Sequence, residues 1–120
     1  PISGFQAVQH NVARMAGEVA ASTRASDAAI EALDTDRFVV QVSAAKVRVG
    51  EAAGIVAEIA HQAHGAMGFT HEHELHHYTR RLWAWRDEYG HEKEWQQLIG
   101  CRIASVGADR AWALISDCAD

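Results

Sequence analysis

Apolar residues recur every three or four positions along most of the chain, which is the period of one face of an α-helix. In the first segment this repeat consists of Phe5, Val8, Val12, Met15 and Val19, and the pattern continues as far as Leu33. The cluster Asp34-Thr35-Asp36 follows. Because short polar side chains accept hydrogen bonds from free backbone N–H groups, the cluster predicts a turn and then the N-cap of a second helix.

The second segment begins near Arg37 and is the longest in the chain. Its apolar stripe consists of Phe38, Val42, Ala45, Val49, Ala52, Val56, Ile59 and Ala63. At 1.5 Å per residue this predicts a helix of about 40 Å. Gly50 and Gly54 lie inside it, and each costs up to about 1 kcal/mol relative to alanine. We therefore expect close backbone packing against them, and we expect the helix to end at Gly65 and Gly68.

Two further helical segments complete the chain, at about 72–89 and about 92–116. The third segment places Leu75, Tyr78, Leu82 and Trp85 on one side, and Gly90 is expected to stop it as a C-cap. The stripe of the fourth consists of Trp95, Leu98, Ile99, Ile103, Val106 and Trp112. Four amphipathic helices with short connections predict an all-α, up-and-down four-helix bundle with long helices, in a single domain covering residues 1–120.

Composition agrees with this fold and excludes several function classes. The sequence has 48% hydrophobic residues and a single proline, Pro1, so nothing interrupts a helix further along. A formal charge of −5 argues against nucleic acid and anionic membranes as partners. A chain that begins with proline and has no long apolar run predicts a soluble, cytoplasmic fragment of a larger protein. Cys101 and Cys118 are expected as small buried residues in a reducing compartment.

The segment 71–77 has four histidines and two glutamates. It contains the zinc-protease pattern H-E-x-x-H, formed by His73, Glu74 and His77, which places two histidines four apart on a helix. Such a site also needs a third ligand and a substrate cleft, and a five-residue pattern arises often by chance. We therefore predict no metal site. We interpret the segment instead as a solvated polar face at the start of a helix. The alternative is an interface with a partner.

The tryptophans also allow two interpretations. Trp83, Trp85, Trp95 and Trp112 are either packed in the core or serve as anchors of a protein interface, where tryptophan is enriched.

Two motifs resemble the acyl-CoA dehydrogenase family. The family writes Q-x-x-G-G-x-G, an aromatic residue and x-x-E, and here Gly65, Gly68, Phe69 and Glu72 occupy the matching places, while Ala66 replaces the second glycine. Residues 1–10 are similar to a family segment that contains Phe-Gln, matched by Phe5-Gln6. The spacing from these residues to Gln62 also fits. The third helix, with Glu-His followed by Arg80-Arg81, resembles a bacterial branch of the family.

The resemblance implies the C-terminal helical domain of a flavoprotein. It implies that Phe5, Gln6, Gln62 and Ala66 lie against an FAD bound mainly by a neighbouring subunit, Gln62 through its amide and Ala66 through its backbone N–H. Paired glycines such as Gly65 and Gly68 also let a backbone approach a bulky anion closely. From the residues alone, an ordinary interhelical turn and surface hydrogen bonding of Gln6 and Gln62 remain open.

The family reaction is the α,β-dehydrogenation of acyl-CoA thioesters. In many members the base is the glutamate of an E-G-T sequence. Here the chain has Glu88-Tyr89-Gly90-His91, so aligning on Gly90 as a substrate-binding residue places Tyr89 at the position of the base. Glu88 is one residue early, which is a rotation of about 100° on a helix. It is thus either the catalytic base or a solvated carboxylate, and some members of the family lack their own base.

The resemblance further implies an acyl-CoA substrate, an electron-transfer acceptor, and assembly as a homo-oligomer or with a related subunit. We expect these 120 residues alone to be inactive, to expose apolar surface that packs on other domains, and to self-associate. The alternative function is a stand-alone helical oligomerisation module without catalysis.

Overall fold

The computed structural model describes residues 1–116, and they form α-helices joined by short connections. The helices are α1 (Gln6–Glu31), α2 (Phe38–His64), α3 (Leu75–Asp87), α4 (Glu92–Val106) and α5 (Ala108–Ser116). Short 3-10 helices, η1 and η2, cover Ile2–Gly4 and Gly65–Phe69. These residues include no β-strand. The predicted all-α class is confirmed.

The fourth predicted segment is divided into two helices. Gly107 separates α4 from α5 and has φ 84°, a left-handed conformation that other residues rarely adopt. Its backbone N–H donates to the Ile103 carbonyl and so closes the last turn of α4. The apolar repeat runs on through this break, which is why the period alone predicts one continuous helix.

The turn between α1 and α2 lies where the Asp34-Thr35-Asp36 cluster predicts it. The Thr35 hydroxyl donates to the Ala32 carbonyl at 2.6 Å and accepts from the Arg37 N–H at 3.3 Å. Asp34 has φ 64°, and a short carboxylate side chain tolerates this left-handed conformation. The predicted side-chain N-cap is wrong, because the N-cap residue is Arg37 and it makes no side-chain cap hydrogen bond.

Helix α2 is the centre of the packing. It packs against α1, α3, α4 and η2, and α5 packs against α4. The radius of gyration is 17.5 Å, against about 14 Å for a compact domain of this length. The principal extents are 51 × 29 × 23 Å. The helices therefore surround α2 in an elongated, open arrangement, and much of each outer helix lies away from the core.

Small side chains make up most of the core. The buried apolar residues are Ala29, Ala32, Val40, Ala45, Ala52, Ala53, Ala57 and Ile59. Ser43 is fully buried and donates its hydroxyl proton to the Val39 carbonyl. The distance between packed helices is set by the side chains at the contact, so small residues let the neighbours of α2 approach closely.

The predicted close backbone packing at Gly50 and Gly54 is wrong, although both positions are closely packed. A Cβ atom at Gly50 would overlap the carboxylate of Glu92 at the start of α4, and one at Gly54 would lie 3.3 Å from the Arg86 guanidinium. Polar side chains of neighbouring helices, rather than their backbones, therefore occupy the space above both glycines.

Several residues of the predicted apolar stripes are exposed. Val12 and Val19 of α1 are more than half exposed, as are Tyr78 and Trp85 of α3. The face of α1 that is partly or fully buried contains Asn11, Glu18, Ser22, Ala25 and Ala29. The predicted exposure of apolar surface is confirmed.

Core packing is the wrong interpretation for Trp83, Trp85 and Trp112, which are 46%, 57% and 75% exposed. Cys101 is exposed instead of buried. Cys118 lies outside the described residues.

Ion pairs join neighbouring helices at two places. Arg48 of α2 pairs with Glu18 of α1, and Arg86 of α3 pairs with Glu92 of α4. Burial alone raises the pKa of Glu92, but the hydrogen bonds from Arg86 and from its own backbone N–H, with the charges of Arg86 and His91, outweigh burial and leave that pKa below its ordinary value. The Glu92 carboxylate is therefore held in its ionised form.

This lowered pKa predicts an acid-sensitive contact between α3 and α4. A carboxyl group whose pKa is lowered on folding stabilises the folded chain at pH values above its unfolded-state pKa, which is near 4.5. That stabilisation is lost as the pH falls through the pKa of the folded state. We expect the free energy of unfolding of the natural chain to fall more than that of Glu92→Gln between pH 7 and about pH 3. Urea titrations at each pH measure the difference. Glu72→Gln, at an exposed position without an ion pair in the structure, is the control and should follow the natural chain.

Candidate functional site

The first candidate site is the glycine corner, residues 61–69, where α2 ends. Gly65 has φ 59°, and its N–H closes the helix by donating to the His61 and Gln62 carbonyls. The helix thus stops where the first predicted glycine stands, and η2 continues the chain to Phe69. Gln62 and Ala66 are both exposed. The Gln62 amide and the backbone of Gly65 and Ala66 are therefore on the outside of the corner.

Phe5 and Gln6 lie at the same end of the α1–α2 pair as the glycine corner. The two helices are antiparallel, and the Glu18–Arg48 ion pair fixes their register near the middle. Gln6 is about 18 Å before Glu18 along α1, and Gln62 is about 21 Å beyond Arg48 along α2. Phe5 is 66% exposed. The four residues that the resemblance assigns to FAD are therefore gathered at one end of the molecule, on its surface.

A buried histidine supports the glycine corner from below. His61 is 7% exposed, and its Nε2 lies 3.0 Å from the hydroxyl of Thr79, which is 2% exposed. The Thr79 hydroxyl proton is directed to the Leu75 carbonyl at 3.3 Å. Nε2 of His61 and the Thr79 hydroxyl are thus hydrogen-bonded partners in the interior. The other nitrogen, Nδ1, is buried without a hydrogen-bond partner. The sequence reasoning missed both residues.

An open cavity of about 410 Å³ lies beside this histidine. The Phe69 ring stacks on the His61 ring with centroids 4.3 Å apart, and the Trp83 ring lies on the cavity wall. Gln62 and Gly65 also line the cavity. The motif residues therefore border a mostly apolar recess with exposed aromatic rings, which is the usual character of a small-molecule site.

Gly68 is the tightest position of the corner. A Cβ atom there would lie 2.9 Å from Cβ of His64 and 3.1 Å from Leu75. We expect Gly68→Ala to lower the free energy of unfolding by about 1–3 kcal/mol, because atoms close to the backbone have little room to move. Gly17→Ala is the matched control, since Gly17 lies inside α1 with nothing near its missing Cβ. That change should stabilise the chain by up to about 1 kcal/mol, and equal effects at both glycines would contradict the close packing.

The second candidate site is the Tyr89 turn, residues 88–90, which follows α3. The helix ends at Asp87, earlier than the predicted stop at Gly90, and Glu88 leaves it in an extended conformation. Tyr89 has φ 61° and is 90% exposed, and Gly90 has φ 93°. The Lys46 ammonium donates to the Glu88 carbonyl at 2.7 Å. The Glu88 side chain is exposed, so these residues alone do not place it in a dry pocket.

The two candidate sites lie at opposite ends of α2 and α3. Thr79 contacts His61 near one end of the pair, and Lys46 holds the end of α3 at the other. The separation between His61 and Lys46 is about 22 Å along α2. The turn thus brings the three residues of the second candidate site together. Within one chain it remains far from the three motif residues of the glycine corner, Gln62, Gly65 and Ala66.

The histidine-rich segment does not form the arrangement that a zinc protease needs. Because α3 begins at Leu75, His73 precedes the helix, and its Nδ1 accepts from the Leu75 N–H at 3.1 Å. His73 and His77 therefore do not share a helix face. Within residues 1–116 no group of three or more His, Cys, Asp or Glu side chains is placed to hold a metal ion.

Comparison of the sequence with models of known families identifies the family of this chain. The family model "Acyl-CoA dehydrogenase, C-terminal domain" matches residues 1–87, which include α1, α2, the glycine corner and α3. The chain belongs to the acyl-CoA dehydrogenase family. The match ends directly before the Tyr89 turn. The matched range of this acyl-CoA dehydrogenase domain includes the glycine corner, while the Tyr89 turn, α4 and α5 lie beyond it.

Two other comparisons found no related protein. No curated protein and no solved structure matches the chain significantly. Among residues 1–116 of this acyl-CoA dehydrogenase domain, no helix has both the length and the apolar character needed to cross a membrane.

Proposed function

We propose that the chain is the C-terminal helical domain of a flavin-dependent enzyme that dehydrogenates acyl-CoA thioesters in the cytoplasm. In this proposal the domain contributes one edge of an FAD site and part of a subunit interface. The observation that carries it is the family match over residues 1–87, which includes the surface glycine corner. An FAD held at this edge would supply the acceptor for the hydride from the β-carbon of the acyl group, and its reoxidation would need an electron-transfer acceptor.

The residues at the corner suit one edge of a dinucleotide. Gln62 offers an exposed amide, Gly65 and Ala66 offer backbone without bulky side chains, and Phe69 offers an exposed ring face. Phe5 and Gln6 lie at the same end. These groups are too few and too exposed to enclose a whole FAD, so we expect most of its contacts to come from other domains or from a neighbouring subunit.

The proton-abstracting role is assigned to the Tyr89 turn. Glu88 is the candidate base, Tyr89 stands at the aligned position, and Gly90 is the proposed substrate contact. A base of this kind needs a pKa near neutrality, which requires a dry site. Because the Glu88 side chain is exposed in this chain, a bound acyl-CoA or another domain has to cover it before it can act.

The decisive experiment is the visible flavin absorbance of the full-length gene product before and after addition of butyryl-, octanoyl- or palmitoyl-CoA. Anaerobic bleaching of the flavin band would support the proposal, and Glu88→Gln would then test the base. A colourless protein would overturn it. A yellow protein that none of these thioesters bleaches would contradict the dehydrogenase activity and leave a flavoprotein without its own base.

Exposed aromatic and aliphatic groups support the proposed subunit interface. Phe5, Val12, Val19, Trp85 and Trp112 are each more than half exposed, which is costly in water and usual for surfaces that pack on other chains. We expect the 120-residue chain to form dimers or tetramers at micromolar concentration, because burial of these groups removes apolar area from water.

Sedimentation velocity over a range of concentrations measures this assembly. Trp112→Ser should shift it towards monomer, and Cys101→Ser, at another exposed position, is the control. A monomer at every concentration would count against the interface.

The exposed tryptophans also favour the second candidate function, an oligomerisation module without catalysis. It shares the expected self-association and differs in flavin content, so the absorbance of the full-length protein separates the two.

A further inference from the structure

The Tyr89 turn combines an unfavourable backbone with an exposed side chain. Within residues 1–116, Asp34 and Tyr89 are the non-glycine residues with positive φ. A short aspartate tolerates this conformation, whereas a tyrosine has a bulky Cβ substituent and disfavours it. Tyr89 nevertheless has φ 61° and gains little from burial, being 90% exposed. Contacts from elsewhere must therefore hold the turn in place.

Those contacts come from both sides of the turn. Before it, the Lys46 ammonium donates to the carbonyls of Arg86 at 3.4 Å and Glu88 at 2.7 Å. After it, the Trp95 indole N–H is shared between the carbonyls of Tyr89 at 3.1 Å and Gly90 at 3.2 Å. A cation at the C-terminal end of a helix also interacts favourably with the helix dipole. All three carbonyls of the turn thus accept a hydrogen bond from a side chain outside it.

One face of α2 provides the base for this arrangement. Lys46 and Gly50 are four residues apart and share that face. Lys46 holds the end of α3, while Gly50 leaves space for Glu92 at the start of α4. Glu92 in turn pairs with Arg86, the residue whose carbonyl Lys46 contacts. Both ends of the turn are therefore fixed to the rigid central helix.

We propose that Lys46 and Trp95 are positioning residues that hold the Tyr89 turn in the conformation in which it meets the acyl-CoA. This inference rests on the proposed function for its ligand, and on the contacts above for the holding of the turn. Neither side chain touches substrate in this proposal. Lys46 sets where α3 ends, Trp95 sets the direction of the Tyr89 and Gly90 peptides, and together they determine where the Glu88 and Tyr89 side chains are presented.

The first test needs no activity and uses the full-length gene product. Lys46→Met removes the donor and keeps the length of the side chain, and Trp95→Phe removes the indole N–H and keeps a ring. We expect amide hydrogen exchange in peptides covering residues 86–91 to become at least about tenfold faster in both variants, with exchange in α1 unchanged. Lys46→Arg should restore slow exchange. Lys93→Met is the matched control, since Lys93 is exposed on α4 and makes no contact with the turn in the structure.

A second comparison isolates the backbone conformation. Glycine adopts positive φ without penalty, so Tyr89→Gly should keep the turn in place even when Lys46 is replaced. The increase in exchange caused by Lys46→Met should therefore shrink in the Tyr89→Gly background. Unchanged exchange in Lys46→Met, or an equal increase in both backgrounds, would overturn the holding role.

The second test concerns the reaction. Flavin bleaching by saturating octanoyl-CoA should be about tenfold slower in Lys46→Met, with flavin content unchanged, because misplacing a reacting group lowers the rate more than the binding. If flavin in Lys46→Met is bleached at the wild-type rate although amide exchange in the Tyr89 turn is fast, the catalytic part of the proposal is wrong. A wild-type protein that is colourless or is not bleached would overturn the proposed function, and the exchange comparison would still decide whether Lys46 holds the turn.

Discussion

Replacement of Ala57 by leucine is expected to lower the free energy of unfolding by about 3 kcal/mol, at the upper end of the range for overpacked cores. Ala57 has no exposed surface and lies on α2, the helix against which α1, α3 and α4 all pack. The extra side chain must push at least one of these helices away. Far-UV circular dichroism during heating should show the loss as a midpoint lower by roughly 10 °C.

Ala44→Leu is the matched control for this prediction. Ala44 lies on the same helix but is exposed, so the same change of side chain should alter stability by less than about 0.5 kcal/mol. Equal losses at the two positions would mean that α2 does not hold its neighbours through small side chains.

Thr79→Val is expected to destabilise the chain by about 1–3 kcal/mol although the shape of the side chain is kept. The hydroxyl is the hydrogen-bond partner of His61 Nε2, and both residues are buried. Without it, the ring nitrogen stays in the interior unpaired, and the cost is that of removing a polar group from water without replacement. Urea unfolding gives the difference in free energy.

A double-mutant cycle identifies the cause. His61→Phe in the Thr79→Val background removes both polar partners, and we expect it to recover part of the loss, since two apolar groups leave nothing unpaired. Thr23→Val is the control, because Thr23 is exposed and its hydroxyl contacts a carbonyl of its own helix. No recovery in the double variant would show that shape, rather than the hydrogen bond, makes Thr79 important.

The helices themselves could be predicted from the sequence because their signals are local. The apolar period and the glycines fixed the positions of α2 and its end at Gly65 closely. The start of α3 was placed too early, since the residues 72–74 carry helix-compatible side chains but belong to a turn. The break at Gly107 was missed because a single glycine inside a continuous apolar pattern does not reveal its φ.

The direction in which each stripe faces could not be predicted. On α1 the sequence shows valines at helical spacing, yet Val12 and Val19 are exposed, while small and polar residues such as Ser22 and Ala29 face α2. Periodicity shows that a helix has an apolar side but not which surface covers it. In this chain Val12 and Val19 on that side are exposed.

The candidate site was predictable only where it forms a sequence motif. Gln62, Gly65 and Ala66 are neighbours along the chain and were identified through the resemblance. His61 and Thr79 are 18 residues apart and meet through packing, as do Lys46 and Glu88 at 42 residues. His61 shares the buried face of Ala57 and Ala53, four and eight residues earlier, and the apolar stripe predicted for α2 does not include that face.

The central place of α2 also sets an order for folding. Helices α1 and α2 are neighbours in the chain and form an antiparallel hairpin with the most extensive helix–helix contact among the described residues, which favours early formation. Helices α3 and α4 have little to condense on until α2 exists. We therefore expect the hairpin to form the folding nucleus, with high φ-values at Ala29 and Ala45 and low ones in α4. During refolding, the α1–α2 hairpin would then be structured before the Tyr89 turn is held in place.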